Sequence, residues 1–152
     1  MTKSKLATAI KYLLDETNEP DLNIAFASVV GSHNYGTANE NSDIDVKVVY
    51  WPTFEQFYKN SFKTSDIHSE DIDITTHPIQ KYMRYVFKGN MNFFEPFFSD
   101  HFESDVFDEC MIMDIQTLVC ADAKAVVKAQ YYTALNKEAE AKTLHDELAS
   151  GK

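Results

Sequence analysis

Residues 24–50 read IAFASVVGSHNYGTANENSDIDVKVVY, and this stretch decides the fold because two apolar runs flank a polar loop. The run from Ile24 to Val30 is mostly apolar and partly β-branched, which predicts a buried strand. The run from Ile44 to Tyr50 alternates and then becomes apolar, which predicts a second strand. Between them, Gly31 to Asn41 is a polar loop with room for a short helical turn.

The sequence on either side of this stretch predicts helices and one more strand. Apolar residues at helical spacing predict a first helix from Lys5 to Glu16. After the second strand we expect a short helix over 54–62, a polar loop over 64–70, a third strand over 71–76, a helix over 79–88 and a mostly helical region to residue 149. This order predicts an α+β fold, in which a mixed β-sheet has helices packed mainly on one face and a helical C-terminal region follows.

Bulk properties favour one soluble globular domain. The chain has 152 residues and a net charge of −10, and we expect residues 1–152 to form a single domain. An acidic field repels phosphate backbones, so binding to nucleic acid needs a local basic patch or bound metal ions. The absence of a long apolar run argues against a membrane span.

The compartment is suggested by the N-terminal residues and the two cysteines. The N-terminal segment does not resemble a secretion signal, because Lys11, Asp15 and Glu16 interrupt its apolar residues. Cys110 and Cys120 have neither a zinc spacing nor a disulfide pattern, so we expect buried thiols in a reducing cytoplasm.

Two aspartates at the start of the second predicted strand carry the candidate chemistry. Asp43 and Asp45 are two residues apart, so on a strand their side chains point to the same face. Carboxylate oxygens at this spacing, about 6.6 Å along the strand, suit Mg²⁺, which binds through one or two carboxylates plus substrate phosphates. Without a cation the two charges repel each other, and one carboxyl should have a raised pKa.

The preceding turn offers groups that bind phosphate. Gly31 lets backbone N–H groups approach a phosphate closely, and Ser32 adds a hydroxyl donor. The spacing from Gly31 to Gly36 matches the start of a P-loop, but Thr37 stands where that motif requires lysine. Lys47 lies on the same face as the aspartates, where it either forms an ion pair or contacts a phosphate.

Together these residues resemble the G-S-x10-D-x-D signature of the DNA polymerase beta superfamily of nucleotidyltransferases. The closest resemblance is to predicted bacterial and phage nucleotidyltransferases associated with RNA repair, over Ile24 to Ser99. It rests on the signature and on HPIQKYMRYVFKGNMNFFEPFF, which is similar to the subgroup's helix, Gly-Asn turn and Glu-containing helix. After about Asp100 we expect the chain to depart from the subgroup, whose members carry a longer helical region.

The resemblance implies a nucleotidyltransferase-type sheet with a catalytic core over 1–100 and a helical region over 101–152. It implies that Gly31 and Ser32 bind a triphosphate and that Asp43 and Asp45 bind metal, namely Mg²⁺ or alternatively Mn²⁺. A third carboxylate completes such sites. Asp71 and Asp73 share a strand face, and the mid-strand position between two isoleucines favours Asp73, with Asp71 as the alternative.

The function implied is transfer of a nucleoside monophosphate from an NTP, such as ATP, to a hydroxyl acceptor, with release of pyrophosphate. The acceptor is RNA, a protein or a small molecule. The alternatives are a nucleotide-binding or regulatory protein without turnover on the same fold, and a subunit that needs a partner, either a second copy or a helical protein, for its acceptor site.

Several residues have a structural interpretation beside a functional one. We expect His33 to be exposed and Tyr35 to pack the loop down or stack on a base. Glu95 either caps a helix or lines the cleft. The phenylalanines at 93, 94, 97 and 98 are expected in the core or at a dimer surface. Histidines with no ligand spacing are expected to be structural: His68, His77, His101 and His145.

Overall fold

The computed structural model describes residues 2–17, 22–69, 71–121 and Lys142. The helices are α1 (Thr2–Thr17), α2 (Phe54–Lys59), α3 (Ile79–Phe87), α4 (Met91–Phe94) and α5 (Glu109–Ala121). The strands are β1 (Ile24–Val30), β2 (Ile44–Tyr50), β3 (Ser65–His68), β4 (Ile72–Pro78) and β5 (Phe102–Glu103). Short 3-10 helices span Gly31–His33 and Glu95–Phe98. The predicted helical region beyond residue 121, apart from Lys142, lies outside the described residues, and His145 with it.

The strands form one mixed sheet in the order β3-β4-β2-β1-β5. Strand β2 pairs antiparallel with β1 and parallel with β4, and the two outer pairs are antiparallel. A parallel pair needs a long crossover, and the connection through α2 and β3 supplies it. The mixed sheet confirms the predicted α+β class.

Each face of the sheet is covered by helices, but unequally. On one face, α1 packs Leu6, Ala9 and Leu13 against apolar side chains of β1, β2 and β4. On the other, Phe26 and Val49 of the sheet pack against side chains from the helices that follow β4: Ile79, Tyr82, Val86, Phe94, Phe97 and Ile115. Among the helices that the structure describes, α3, α4 and α5 therefore pack on one face, in line with the prediction that helices lie mainly on one side, and α1 packs on the other.

The predicted polar loop over 64–70 is wrong, because residues Ser65–His68 form the edge strand β3. Its side chains are mostly exposed, as expected for an edge strand that solvent reaches, so no apolar alternation marks it in the sequence. Strand β4 also continues through His77 to Pro78, whose φ of −69° and ψ of 139° let it serve as the N-cap of α3. Strand β4 and helix α3 therefore meet without a loop.

Cys110 corrects the expectation of a buried thiol. It lies in the first turn of α5 and is exposed, because this helix contacts the core through residues further along, such as Ile115 and Gln116. The side chain of Cys120 lies outside the described residues. Within the described ranges, no helix has both the length and the apolar character needed to cross a bilayer.

His77 is a buried titratable group, and we expect it to make the protein sensitive to acid. Its side chain packs against the rings of Tyr82 and Phe93, and the residue is only 7% exposed. Its Nδ1 has no hydrogen-bond partner among the described residues. Burial lowers the pKa of His77 to about 4, with help from Lys47 and Lys81. Because the His77 imidazole binds a proton more tightly in the unfolded chain than in the folded protein, the free energy of unfolding is highest above pH ~6.5 and falls as the pH drops toward 4.

We therefore expect His77→Phe to remove this loss while keeping a ring in the aromatic cluster. The loss in the wild type is at most about 3 kcal/mol, less where water screens the charge. Urea denaturation at pH 7 and pH 4.5 measures it for both proteins. If both lose the same unfolding free energy between the two pH values, His77 is not the source.

Candidate active site

Sheet register brings two of the predicted aspartates together. Asp45 in β2 lies directly opposite Asp73 in β4, on neighbouring parallel strands about 4.8 Å apart. Asp43 precedes β2 by one residue and is exposed, on the same side as Asp45. Asp71 precedes β4, is exposed, and its backbone carbonyl accepts the N–H of Ile44 at 2.9 Å. The position facing Asp45 therefore belongs to Asp73 and not to Asp71.

Asp45 lies in a strongly acidic environment. It is half-buried, and that burial is the main reason that its pKa is raised above the usual value for aspartate. The charges of Asp73, Asp43 and Glu95 raise the pKa further, whereas Lys47 lowers it. Four carboxylates thus share one region, and their repulsion is the kind that a bound cation relieves.

The turn after β1 brings the backbone against Asp45. Gly31 has a φ of +70°, a conformation that side chains other than glycine's rarely adopt. A Cβ atom at this position would lie 2.4 Å from Asp45 Oδ2, which is closer than such contacts allow. Ser32 follows in the 3-10 helix, and its carbonyl oxygen accepts the N–H groups of Thr37 and Ala38. Glycine is therefore required for the approach of the turn to the carboxylate.

The sequence left open whether Glu95 caps a helix or lines the site, and in the structure it does both. It comes from the junction of α4 with the following 3-10 helix, where it is also the C-cap residue of α4. Its Oε1 accepts the Gly31 N–H at 2.5 Å and an amide N–H of Asn34 at 3.5 Å. Tyr35 is 66% exposed, and burial together with Glu95 raises the pKa of its hydroxyl. Glu95 thus holds the turn through its carboxylate.

Lys47 does not form the predicted ion pair within the described part of the chain. Its Nζ donates to the backbone carbonyl of Asn92 and lies 5.6 Å from the centre of the Phe93 ring. Burial lowers the pKa of Lys47, while Glu95 and Asp45 raise it. The ammonium group is therefore placed beside the acidic cluster without being neutralised by direct contact.

His68 has a partner at the site, contrary to the expectation of a purely structural histidine. Strand β3 places it directly opposite Asp73, and its Nδ1 lies 2.8 Å from Asp73 Oδ1. This hydrogen bond, together with the negative charge of Asp73, raises the pKa of His68. His33 is half-buried, not exposed, and its Nε2 lies 3.1 Å from the carbonyl oxygen of Ser42.

The donor chemistry of the cluster fits a hard cation. The carboxylates of Asp43, Asp45 and Asp73 offer oxygen ligands of the kind that Mg²⁺ prefers. In residues 2–17, 22–69 and 71–121, no three Asp, Glu, His or Cys side chains already stand together as a ligand group. Asp73 gives one oxygen to His68, so a cation shared with Asp45 would bind the other oxygen, on strands already in register.

A separate cavity of about 370 Å³ lies away from these residues, at the other end of the same strands. Tyr50 ends β2 and Thr76 lies near the end of β4, and both line this cavity together with Lys63. None of the candidate site residues borders this cavity.

Comparison with known proteins gives one finding that covers most of the chain. The family model described as RlaP, the RNA repair pathway DNA polymerase beta family, matches residues 7–148. No curated protein matches the chain significantly. The match extends through the C-terminal region, so the expected departure after Asp100 is wrong.

Proposed function

Because the chain belongs to the RNA repair pathway DNA polymerase beta family, we propose that it is a magnesium-dependent nucleotidyltransferase acting on a nucleoside triphosphate. The observation that carries this proposal is the register of Asp45 opposite Asp73, beside a turn that only glycine fits. The reaction is transfer of a nucleoside monophosphate to a hydroxyl acceptor with loss of pyrophosphate. Hydroxyl groups of RNA, of a protein or of a small molecule are the candidate acceptors.

Asp43, Asp45 and Asp73 would hold the cation in this proposal. When bound, Mg²⁺ or Mn²⁺ neutralises charge on the phosphates and lowers the pKa of a bound hydroxyl. Asp45 is the central ligand, because it is half-buried and lies among the negative charges of Asp73, Asp43 and Glu95. Asp73 lies on β4, next to the edge strand β3, so we place the acceptor hydroxyl on that side.

The triphosphate would lie against the turn at Gly31 and Ser32. Glu95 accepts the Gly31 N–H at 2.5 Å, as a carboxylate standing where a phosphate oxygen would bind. The triphosphate would therefore displace Glu95 from this N–H or share the turn with it. Lys47 is close enough to the acidic cluster to contact a phosphate after leaving the carbonyl of Asn92.

The protein's own contribution to rate is positioning and electrostatic stabilisation. The sheet fixes the spacing of Asp45 and Asp73, and the turn fixes the phosphate relative to them. Attack in line on the α-phosphorus forms one P–O bond with the acceptor and breaks the bond to the departing pyrophosphate. The acceptor's proton leaves toward Asp73 or solvent.

The test pairs a binding measurement with a turnover measurement. The protein is titrated calorimetrically with each NTP in Mg²⁺ and in EDTA, and pyrophosphate release is followed with and without RNA. We expect metal-dependent binding and release, with label transferred to RNA or to the protein itself. Binding without release supports a regulatory protein on the same fold, and absence of metal-dependent binding contradicts the proposal.

A further inference from the structure

His68 is placed by β3 to act on Asp73. The two residues are register partners on an antiparallel pair, and their side chains meet at 2.8 Å between Nδ1 and Oδ1. Among the described residues, no other side chain is hydrogen-bonded to the Asp73 carboxylate. The carboxylate has two oxygens, so the hydrogen bond leaves Oδ2 free for a second contact.

We propose that His68 is a positioning residue that holds Asp73 by one oxygen and presents the other to a divalent cation. This inference rests on the proposed function, because it assigns Asp73 the role of a ligand. Carboxylates that bind metal are commonly oriented by hydrogen bonds from outer residues, whose loss typically costs 10–100-fold in metal affinity. His68 supplies such a bond from the edge strand.

Packing does not account for histidine at this position. The side chain of His68 is 69% exposed and that of Asp73 is 37% exposed, so the contact covers little apolar surface. At the opposite end of β3, Ser65 and Thr76 hydrogen-bond to each other through side chain and backbone, which secures the strand independently of His68. Exposed ion pairs contribute little to stability. Replacement of His68 should therefore leave the fold intact.

The experiment measures Mn²⁺ affinity of the full chain by calorimetry or electron paramagnetic resonance, without nucleotide. His68→Leu removes the hydrogen bond, and we expect binding to weaken by about 10–100-fold. His68→Asn places an amide N–H near the position of Nδ1, and we expect affinity close to the wild type. Asp66→Asn, on the same strand and face but opposite Thr75, controls for a general change of β3.

The outcomes separate this inference from the function on which it rests. Asp45→Asn is measured alongside; weakened binding in this variant with unchanged binding in His68→Leu overturns the role of His68 alone. Equal weakening in His68→Leu and His68→Asn also overturns it, because the hydrogen bond is then not the cause. If Asp45→Asn binds Mn²⁺ as the wild type does, or the wild type binds none, the proposed function fails and this inference fails with it.

Discussion

Asp45→Asn is expected to lower nucleotide transfer by at least about 100-fold, because the cation loses its central ligand. The amide keeps the size of the side chain, so its position beside Gly31 is preserved. Initial rates of pyrophosphate release at saturating Mg²⁺ and NTP measure the effect. Asp43→Asn and Asp73→Asn should also lose activity, whereas Asp71→Asn, the matched control on the same face, should keep most of it. Equal losses in Asp71→Asn and Asp73→Asn would contradict the choice of Asp73.

Asp45→Asn is expected to leave the folded protein as stable as the wild type or more stable. Since the pKa of Asp45 is raised in the folded protein, its protonated form is favoured, and stability is lost as the pH rises through that pKa. Asparagine does not titrate and escapes this loss. In metal-free buffer at pH 7 the variant should therefore unfold at equal or higher urea concentration. Added Mg²⁺ should raise the melting temperature of the wild type more than that of the variant.

Gly31→Ala is expected to have the second large effect, on both activity and stability. The new Cβ would lie 2.4 Å from Asp45 Oδ2, and the φ of +70° is itself unfavourable for alanine. The backbone conformation costs about 1–2 kcal/mol, and relief of the clash costs a further 1–3 kcal/mol or so. Relief moves Asp45 or the turn, so transfer should fall close to background. Urea denaturation and pyrophosphate release measure the two consequences.

Gly36→Ala is the matched control for that variant. Gly36 belongs to the same loop and has a φ of +68°, but a Cβ atom there meets nothing within 4 Å. It therefore carries the same backbone cost without the contact to Asp45. We expect Gly36→Ala to lose about 1–2 kcal/mol of stability and to retain activity. Similar activities for the two variants would show that the approach of Gly31 to Asp45 does not matter for catalysis.

The sequence predicts the centre of the fold well, because local patterns determine it. Strands β1 and β2 have the predicted bounds, since both are apolar runs that end at turn residues. Strand β3 could not be predicted in the same way, because its mostly exposed side chains show no alternation. The two-residue strand β5 is too short to leave a pattern and exists through its pairing with β1.

The candidate site likewise contains residues that a local pattern predicts and residues that only the tertiary structure brings together. Asp43, Asp45 and Gly31 lie in one continuous segment, so their spacing is visible in the sequence. The position between two isoleucines favours Asp73 over Asp71 in the sequence, but only the register between β2 and β4, a tertiary feature, places Asp73 opposite Asp45. The sequence does not indicate a role for His68, because β3 shows no apolar alternation and only the pairing of β3 with β4 places His68 opposite Asp73.

Glu95 shows a different limit of prediction from the sequence. Its segment, a Gly-Asn turn followed by a short helix, is recognisable in the sequence, but the direction of its side chain is not. The packing of Phe94 and Phe97 into the core below β1 sets where the intervening glutamate points. Its contact with the Gly31 N–H therefore depends on the packing of α4 on the sheet and not on any local spacing.

The most direct test of the central claim is a crystal structure of the protein with Mn²⁺ and a non-hydrolysable NTP, analysed by anomalous scattering. The account predicts a manganese peak bound by Asp43 and Asp45, with Asp73 turned toward it and the triphosphate against the Gly31–Ser32 turn. A manganese ion bound elsewhere, or a nucleotide that does not contact this turn, would contradict it.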